Sequence, residues 1–294
     1  MAGSTLASRT FGRELQKYRE RAGLAQYAVA RAVETSPQTY GRLEDGVKRN
    51  VTSLMLNAIC DKLRVSDAER RQLLTLAEEV RAERKSEGGW WRAYFGNKWE
   101  GFEYFLHLEE AARRLTQRHS NLIPGLLHAY EYRQQLIWAE YPNWSPEQIA
   151  GRMAIAEERQ RRLREQRFEY EAFIPESVLR QLTGGPRVMH DQLHHLVHLS
   201  DLPNVTIRAI PAGATDPMAG LMGTFLCLDF PPLPNTGLTP TSVVFLEQFA
   251  GALYLETEDE VVKYKDASER LRRLTLGTSE TRDLILAIAR ERSS

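Results

Sequence analysis

Two groups of side chains in this chain have types and spacings that could do chemistry. The first lies in Leu24–Gly46. Two short helices joined by the turn Glu34-Thr35-Ser36 would turn Val29, Val33, Tyr40 and Leu43 inward, with Ala30 small where the helices approach closely. The second helix would then present Gln38, Gly41 and Arg42 outward on one side. A helix that enters the major groove with its N-terminal residues at base edges needs that arrangement. The second group is His190, His194 and His198, which repeat every four residues along one helix face, with His195 beside them. An i, i+4 histidine pair can hold zinc when a third ligand arrives from elsewhere. Here positions 191 and 192 are Asp and Gln, so the metalloprotease pattern is absent. Met189, Leu193, Leu196 and Val197 supply the apolar stripe, and the histidines flanking it read as a solvated or half-buried edge. The chain has no phosphate loop, nucleophile elbow or dinucleotide fingerprint. The expectation is a protein that is not an enzyme and takes no metal or cofactor.

The elements that must position these residues are readable from local patterns. Phe11, Leu15 and Tyr18 form one stripe of a first helix reaching Arg21, which Gly23 ends. A second helix covers about Gln26 to Val33. Ser36 before Pro37 suits an N-cap followed by proline at the first helical position, starting a third helix that runs to about Asp45 and stops at Gly46. A fourth covers about Ser53 to Leu63. Ser66-Asp67-Ala68-Glu69 is a capping box that opens a fifth, reaching about Lys85. Ser86-Glu87-Gly88-Gly89 breaks the periodicity and marks a linker, with Trp90-Trp91 anchoring the next segment to a core. Beyond it, helices are expected at about Phe102–Thr116, His128–Tyr141, Pro146–Gln166, Pro175–Leu182, Pro186–Ser200 and Glu280–Arg290. Strands are expected at Phe168–Phe173, Val205–Ile210, Thr224–Phe230, Ser242–Phe245 and Ala252–Glu256. The last three strands have no helix between them, which implies an antiparallel arrangement. The expected fold is an all-α, five-helix helix-turn-helix domain over residues 1–85, a linker at 86–89, and an α+β domain over 90–294 with a mainly antiparallel sheet and flanking helices.

A length of 294 residues suits about two domains, and 42% hydrophobic residues suffice for a substantial core. Apolar runs such as Leu284–Ala289 are far too short for a bilayer, so no membrane role is expected. Met1–Thr10 lacks the apolar region of a secretory signal. Cys60 and Cys227 show no metal spacing and read as small buried residues of a reduced, cytoplasmic protein. The formal net charge is zero, which at first argues against a polyanionic partner. By segment the reading reverses. Residues 1–85 hold 16 Lys plus Arg against 11 Asp plus Glu, a net +5, and residues 86–294 hold 23 against 28, a net −5. Such asymmetry fits nucleic-acid contact at one end of the chain.

Leu24, Gln26, Ala30, Ser36, Thr39, Arg42, Leu43-Glu44 and Gly46 together resemble the helix-turn-helix of the phage-repressor and xenobiotic-response-element family of regulators. The resemblance implies roles on double-stranded DNA. Gln26 would anchor a phosphate or the recognition helix. Gln38 would bond adenine, and Arg42 would reach guanine or a phosphate. Thr39 would meet backbone or a thymine methyl, and Lys48 and Arg49 would grip phosphates, which positions the protein without reading sequence. Pro37 and Gly41 occupy positions where relatives place base-reading side chains, so Gln38 and Arg42 would carry most of the readout. Ala25 replaces the usual capping Ser or Thr.

The remainder resembles a C-terminal domain of unknown function that comes after such units in many actinobacterial, antitoxin-like regulators. Its carriers are Leu108–Ala112, Ile123-Pro124-Gly125-Leu126-Leu127, Glu158–Arg161, Met189 with Gln192-Leu193, Val205–Ile207, Gly223–Phe225 and Val244–Glu247. By packing logic, Pro-Gly makes a turn and its apolar flanks pin it to the core. The helix over Glu157–Gln166, crowded with both charges, reads as a solvated face, the alternative being a surface for an acidic partner or a second DNA contact. The two resemblances imply a homodimeric regulator binding a palindromic operator, with a C-terminal domain that senses a ligand or a small partner protein encoded nearby. The alternative is an antitoxin-like protein that sequesters that partner and uses DNA binding for autoregulation.

Overall fold

Thr5 starts the first helix one turn earlier than the apolar stripe suggests. Its side chain and that of Ser8 cap each other's backbone amides reciprocally, and helix α1 runs Leu6–Arg21. The computed structural model describes residues 5–47, 51–85, 102–248 and 251–292. Within it the chain divides into two compact units. The helical unit holds α1, α2 (Gln26–Ala32), α3 (Pro37–Glu44), α4 (Ser53–Leu63) and α5 (Asp67–Lys85). The expected capping box opens α5, with Ser66 N–H donating to Glu69 Oε2 at 2.8 Å and Glu69 N–H to Ser66 Oγ at 3.3 Å. Phe11, Leu15 and Tyr18 do face the core, where they meet Val29, Ala30, Tyr40 and Leu43 from α2 and α3. Cys60 lies buried in the same core. The linker at 86–89 and Trp90-Trp91 lie outside the described residues.

Two ties hold α1 and α5 along each other. Ala7 N–H donates to Glu83 Oε2 at 3.2 Å at one end, and Arg21 grips Glu69 through two nitrogens at 2.6 and 3.0 Å at the other. The helical unit also includes Phe230–Thr241, a segment far along the chain, whose Leu233 and Leu238 join the helical core.

The second unit is built on a six-stranded sheet in the order β3-β2-β1-β4-β5-β6. The strands are β1 (Arg114–Arg118), β2 (Glu169–Pro175), β3 (Val205–Ile210), β4 (Phe225–Asp229), β5 (Val243–Gln248) and β6 (Gly251–Leu255). β1, β2 and β3 run parallel, joined by helical crossovers: α7 (Tyr130–Glu140) and α8 (Pro146–Gln160), then α9 (Glu176–Leu179) and α10 (Pro186–Leu199). β1–β4, β4–β5 and β5–β6 are antiparallel, so the α+β class and the antiparallel grouping of the last three strands hold. α12 (Glu258–Leu274) lies against β3, β4 and β5, and α13 (Thr278–Glu291) packs on α10 and β3. A short α11 (Met218–Leu221) precedes β4.

Three elements differ from the sequence expectation. The helix expected over Phe102–Thr116 ends at Ala111 as α6 (Phe102–Ala111), and Arg114–Arg118 becomes β1 inside the sheet. Its Thr116 and Arg118 are buried, so the period-2 pattern is hidden behind polar letters. α12 was not expected, because its long charged face hides a narrow apolar stripe of Val261, Tyr264 and Leu271. Its capping box, Thr257 with Glu260, was the available signal. Finally, the charged stretch Glu157–Gln166 is not a plain solvated face. α8 gives way to a 3-10 turn at Arg161–Arg164. Arg159, still on α8, grips Glu109 at 2.6 and 2.7 Å, and Arg162, within the turn, donates to Ala112 O at 2.7 Å and lies over the Phe168 ring.

The Ile123–Leu127 turn is pinned by buried polar groups. Gln160 donates to Leu126 O and His128 O at 3.2 and 2.7 Å, and Gln192, fully buried, donates to Leu127 O and accepts from Ala129 N–H, both at 2.7 Å. His128 Nε2 lies 2.6 Å from Ile123 O. Burial holds His128 well below the ordinary histidine value, and burial together with the Arg118 charge lowers His119 to about 4. Both rings are therefore neutral when folded, and the unfolded chain binds more protons below the ordinary value of 6.5. We expect stability to be complete above pH 6.5 and to fall as pH drops toward about 4. Ring NMR titration checks this, and a folded-state midpoint near 6.5 for His128 would sink it.

Candidate nucleic-acid interface

α3 owes its start to Ser36. The Ser36 Oγ accepts from Thr39 N–H at 3.1 Å and donates to Thr39 Oγ1 at 2.9 Å, and Pro37 stands in the first turn, where its missing N–H costs nothing. The turn before it is tight. Glu34 sits in the left-handed region at φ 53°, and Thr35 N–H reaches back to Ala30 O at 3.0 Å. Tyr40 and Leu43 are fully buried, whereas Pro37, Gln38 and Arg42 are exposed and Thr39 and Gly41 half-buried. Gln38 and Arg42 thus stand one turn apart on the solvent side. Neither side chain has a hydrogen bond or ion pair among the described residues. Arg31 on α2, exposed and similarly unengaged, was not singled out from sequence. Lys48 and Arg49 lie outside the described residues.

The far end of α3 is held by a buried carboxylate. Glu44 accepts from Arg19 Nε at 2.6 Å and Nη2 at 3.0 Å, and from Gln26 Nε2 at 2.8 Å. Gln26 therefore spends its amide on the end of α3. A Cβ at Gly41 would stand 3.2 Å from Gln26 Oε1, a tight contact that the amide would have to ease by a small shift. Arg19 also donates to Leu24 O at 3.0 Å, so one guanidinium ties α1, the turn before α2 and the end of α3 together. Burial and then the Glu44 charge push the Tyr40 phenol above its ordinary range, so it stays neutral beside this pair. α1 also meets α3 backbone to backbone. A Cβ on Gly12 would lie 2.1 Å from Glu44 O, and Gly46, at φ +68°, passes directly over Arg9. Arg19 and Gly12 carried no recognisable signal in the sequence, since each matters only through a partner over 20 residues away.

The histidine row does not assemble a site. His190 and His194 rings sit 4.5 Å apart on the outer side of α10, with His198 exposed. Among the described residues, no group of three or more His, Cys, Asp or Glu could hold a metal ion. In the same unit, Arg133 on α7 has its Nε sealed from solvent with no hydrogen-bond partner among the described residues. Burial and then the Arg159 charge lower its pKa, Glu140 and Glu247 offsetting this in part. Arg152, itself buried, is lowered by burial and then by Arg133 and Arg159.

Two family descriptions match the chain. The family described as "Domain of unknown function (DUF5753)" matches residues 102–287, more than half of the chain. The chain belongs to this family. The DUF5753 region carries the whole sheet, and the description "Helix-turn-helix domain" matches residues 10–73, which span the helices that frame Gln38 and Arg42. No curated protein and no solved structure matches the chain. A helix-turn-helix domain points to DNA-binding regulation in general. Among the described residues no helix is long and apolar enough to cross a membrane.

Replacing Glu44 by Ala removes the buried partner of the half-buried Arg19 guanidinium. We expect Glu44→Ala to cost about 3–5 kcal/mol, and Gln26→Ala, which leaves the ion pair intact, about 1 kcal/mol. Urea denaturation of the full chain checks both, and equal costs would show that the ion pair does not hold α3.

Proposed function

We propose that the chain is a sequence-specific transcriptional regulator of the xenobiotic-response-element type, acting in the cytoplasm. As a homodimer it grips a palindromic double-stranded operator through residues 1–85, with half-sites about 34 Å or a multiple apart. The observation that carries this reading is the state of Gln38 and Arg42. Both are exposed and unengaged, on a helix whose two ends are fixed by Ser36 and Glu44. Folding does not need them, and base-edge recognition needs side chains of these types in such a place. The net +5 of residues 1–85 supports the same reading. Thr39 and Gly41 line the same helix; Gln26 acts by holding it, and Lys48 and Arg49 grip phosphates.

Residues 90–294 would take the signal. Arg133, half-buried with its Nε sealed and without a hydrogen-bond partner, near the charges of Arg152 and Arg159, favours an anionic one. The antitoxin-like resemblance supports a second reading, sequestration of a small protein. Copurification of a stable partner encoded next door would favour it.

A genome-wide footprint tests the operator reading, and no enriched motif would end it. On the enriched site, Gln38→Ala and Arg42→Ala should each lose about 1–3 kcal/mol of discrimination. Lys48→Ala should weaken all sequences alike and lower the salt slope by about 1.

A further inference from the structure

The connection from β4 to β5 leaves the sheet after Asp229 and returns at Ser242, and everything between belongs to the helical unit. Its anchor is Glu79 on α5, a carboxylate only 4% exposed. Glu79 Oε1 accepts from the backbone N–H of Asn235 at 2.6 Å and of Thr236 at 3.3 Å, and Oε2 accepts from Thr236 Oγ1 at 2.9 Å. Among the described residues, no cation is recorded on this carboxylate, so its burial rests on the donors of the connection. Leu233, 7% exposed, enters the helical core, and Leu238 packs beside it. The turn between them is closed on itself, with Leu233 N–H on Leu238 O and Gly237 N–H on Leu233 O, both 2.9 Å, and with Gly237 left-handed at φ +66°. Pro231, Pro232 and Pro234 restrict the segment before it docks, which lowers the entropy lost on ordering.

We propose that Phe230–Thr241 is a strap through which the sheet sets the order of the helix-turn-helix unit. Both its ends are fixed in one antiparallel ladder, with Leu226 opposite Phe245, Cys227 opposite Val244 and Leu228 opposite Val243. A change in that ladder moves the donors facing Glu79. α5 in turn is tied to α1 through Ala7–Glu83 and Arg21–Glu69, and α1 to the end of α3 through Arg19–Glu44 and the backbone contact at Gly12. With the strap displaced, Glu79 loses its protein donors and Leu233 leaves the helical core, which loosens the helices packed there. A signal that reaches β4 or β5 therefore has a physical route to α3 that runs through the chain itself.

Hydrogen-exchange mass spectrometry on the full chain tests this. It contains no DNA, so it stands or falls separately from the operator reading. Leu233→Ala should speed exchange in α4 and α5 by roughly tenfold or more. Thr236→Val, which removes one donor and keeps the shape, should do so by a smaller factor. Both should leave β1–β3 at the wild-type rate. Val244→Ala in β5 should also speed exchange in α5, and should lose that effect when residues 231–240 are exchanged for a Gly-Ser linker of equal length. Wild-type protection of α1–α5 in the linker chain overturns the strap. An equal effect of Val244→Ala with and without it overturns the coupling. Should the linker chain fail to fold, the Leu233→Ala, Val244→Ala pair replaces it, and additive effects on α5 overturn the coupling.

Discussion

A carboxylate taken out of water must be met by donors, or the fold that buries it does not persist. Among the described residues, four glutamates impose that constraint. Glu44, Glu79, Glu109 and Glu171 are each 6% exposed or less. Glu44 is met by Arg19 and Gln26 and sets where the end of α3 lies. Glu79 is met by backbone and hydroxyl donors of a segment from far along the chain. Glu109 takes Arg159 through two bonds, beside the turn whose carbonyls Gln160 satisfies. Glu171 on β2 faces Arg272 of α12, with Arg114 and Arg208 nearby, and so joins helix to sheet. Each pairing is a geometric demand as much as an attraction. A carboxylate with two bonded oxygens accepts few arrangements of its neighbours, and that makes the elements around it definite in position.

The same economy explains the interface. On α2 and α3 the polar side chains divide into those engaged in holding the helices and those left idle. Gln26, Ser36 and Thr39 are engaged; Arg31, Gln38 and Arg42 are not. The basic excess is confined to the first 85 residues, and the remainder carries the opposite charge. A neutral total is thus the sum of an attracting end and a part that discourages non-specific contact with a polyanion.

Much of the helical unit was legible because its signals are local. Apolar residues at helical spacing, Ser36 before Pro37, the Ser66–Glu69 box and Gly46 after α3 each act within one or two turns, and the structure places each as read. β1 was not legible, because Thr116 and Arg118 are buried by neighbours on both sides of the strand, and polar letters hide a sheet interior. α12 was hidden by charge on its outer face. Arg159 and Arg162 are not legible as engaged, because Arg159 meets a glutamate 50 residues away and Arg162 stands in a 3-10 turn that helical spacing does not announce. Gln192 and Gln160 were legible as family carriers but not as clasps. Their partners are backbone atoms of one turn, and backbone atoms carry no letter in a sequence.

By itself, the sequence determined the helix-turn-helix, its exposed Gln38 and Arg42, the asymmetry of charge and the α+β class of the C-terminal region. Short-range rules of spacing, capping and turn chemistry decide those features. Tertiary structure alone decided that Glu44 locks α3 through Arg19, that Gly12 must be glycine, and that Phe230–Thr241 completes the helical core. The reason is distance along the chain. Glu79 and Thr236 lie 157 residues apart, and Glu109 and Arg159 lie 50 apart. A buried charge and the donors that neutralise it leave no periodic trace, so the pairing becomes definite only when the chain has closed around both.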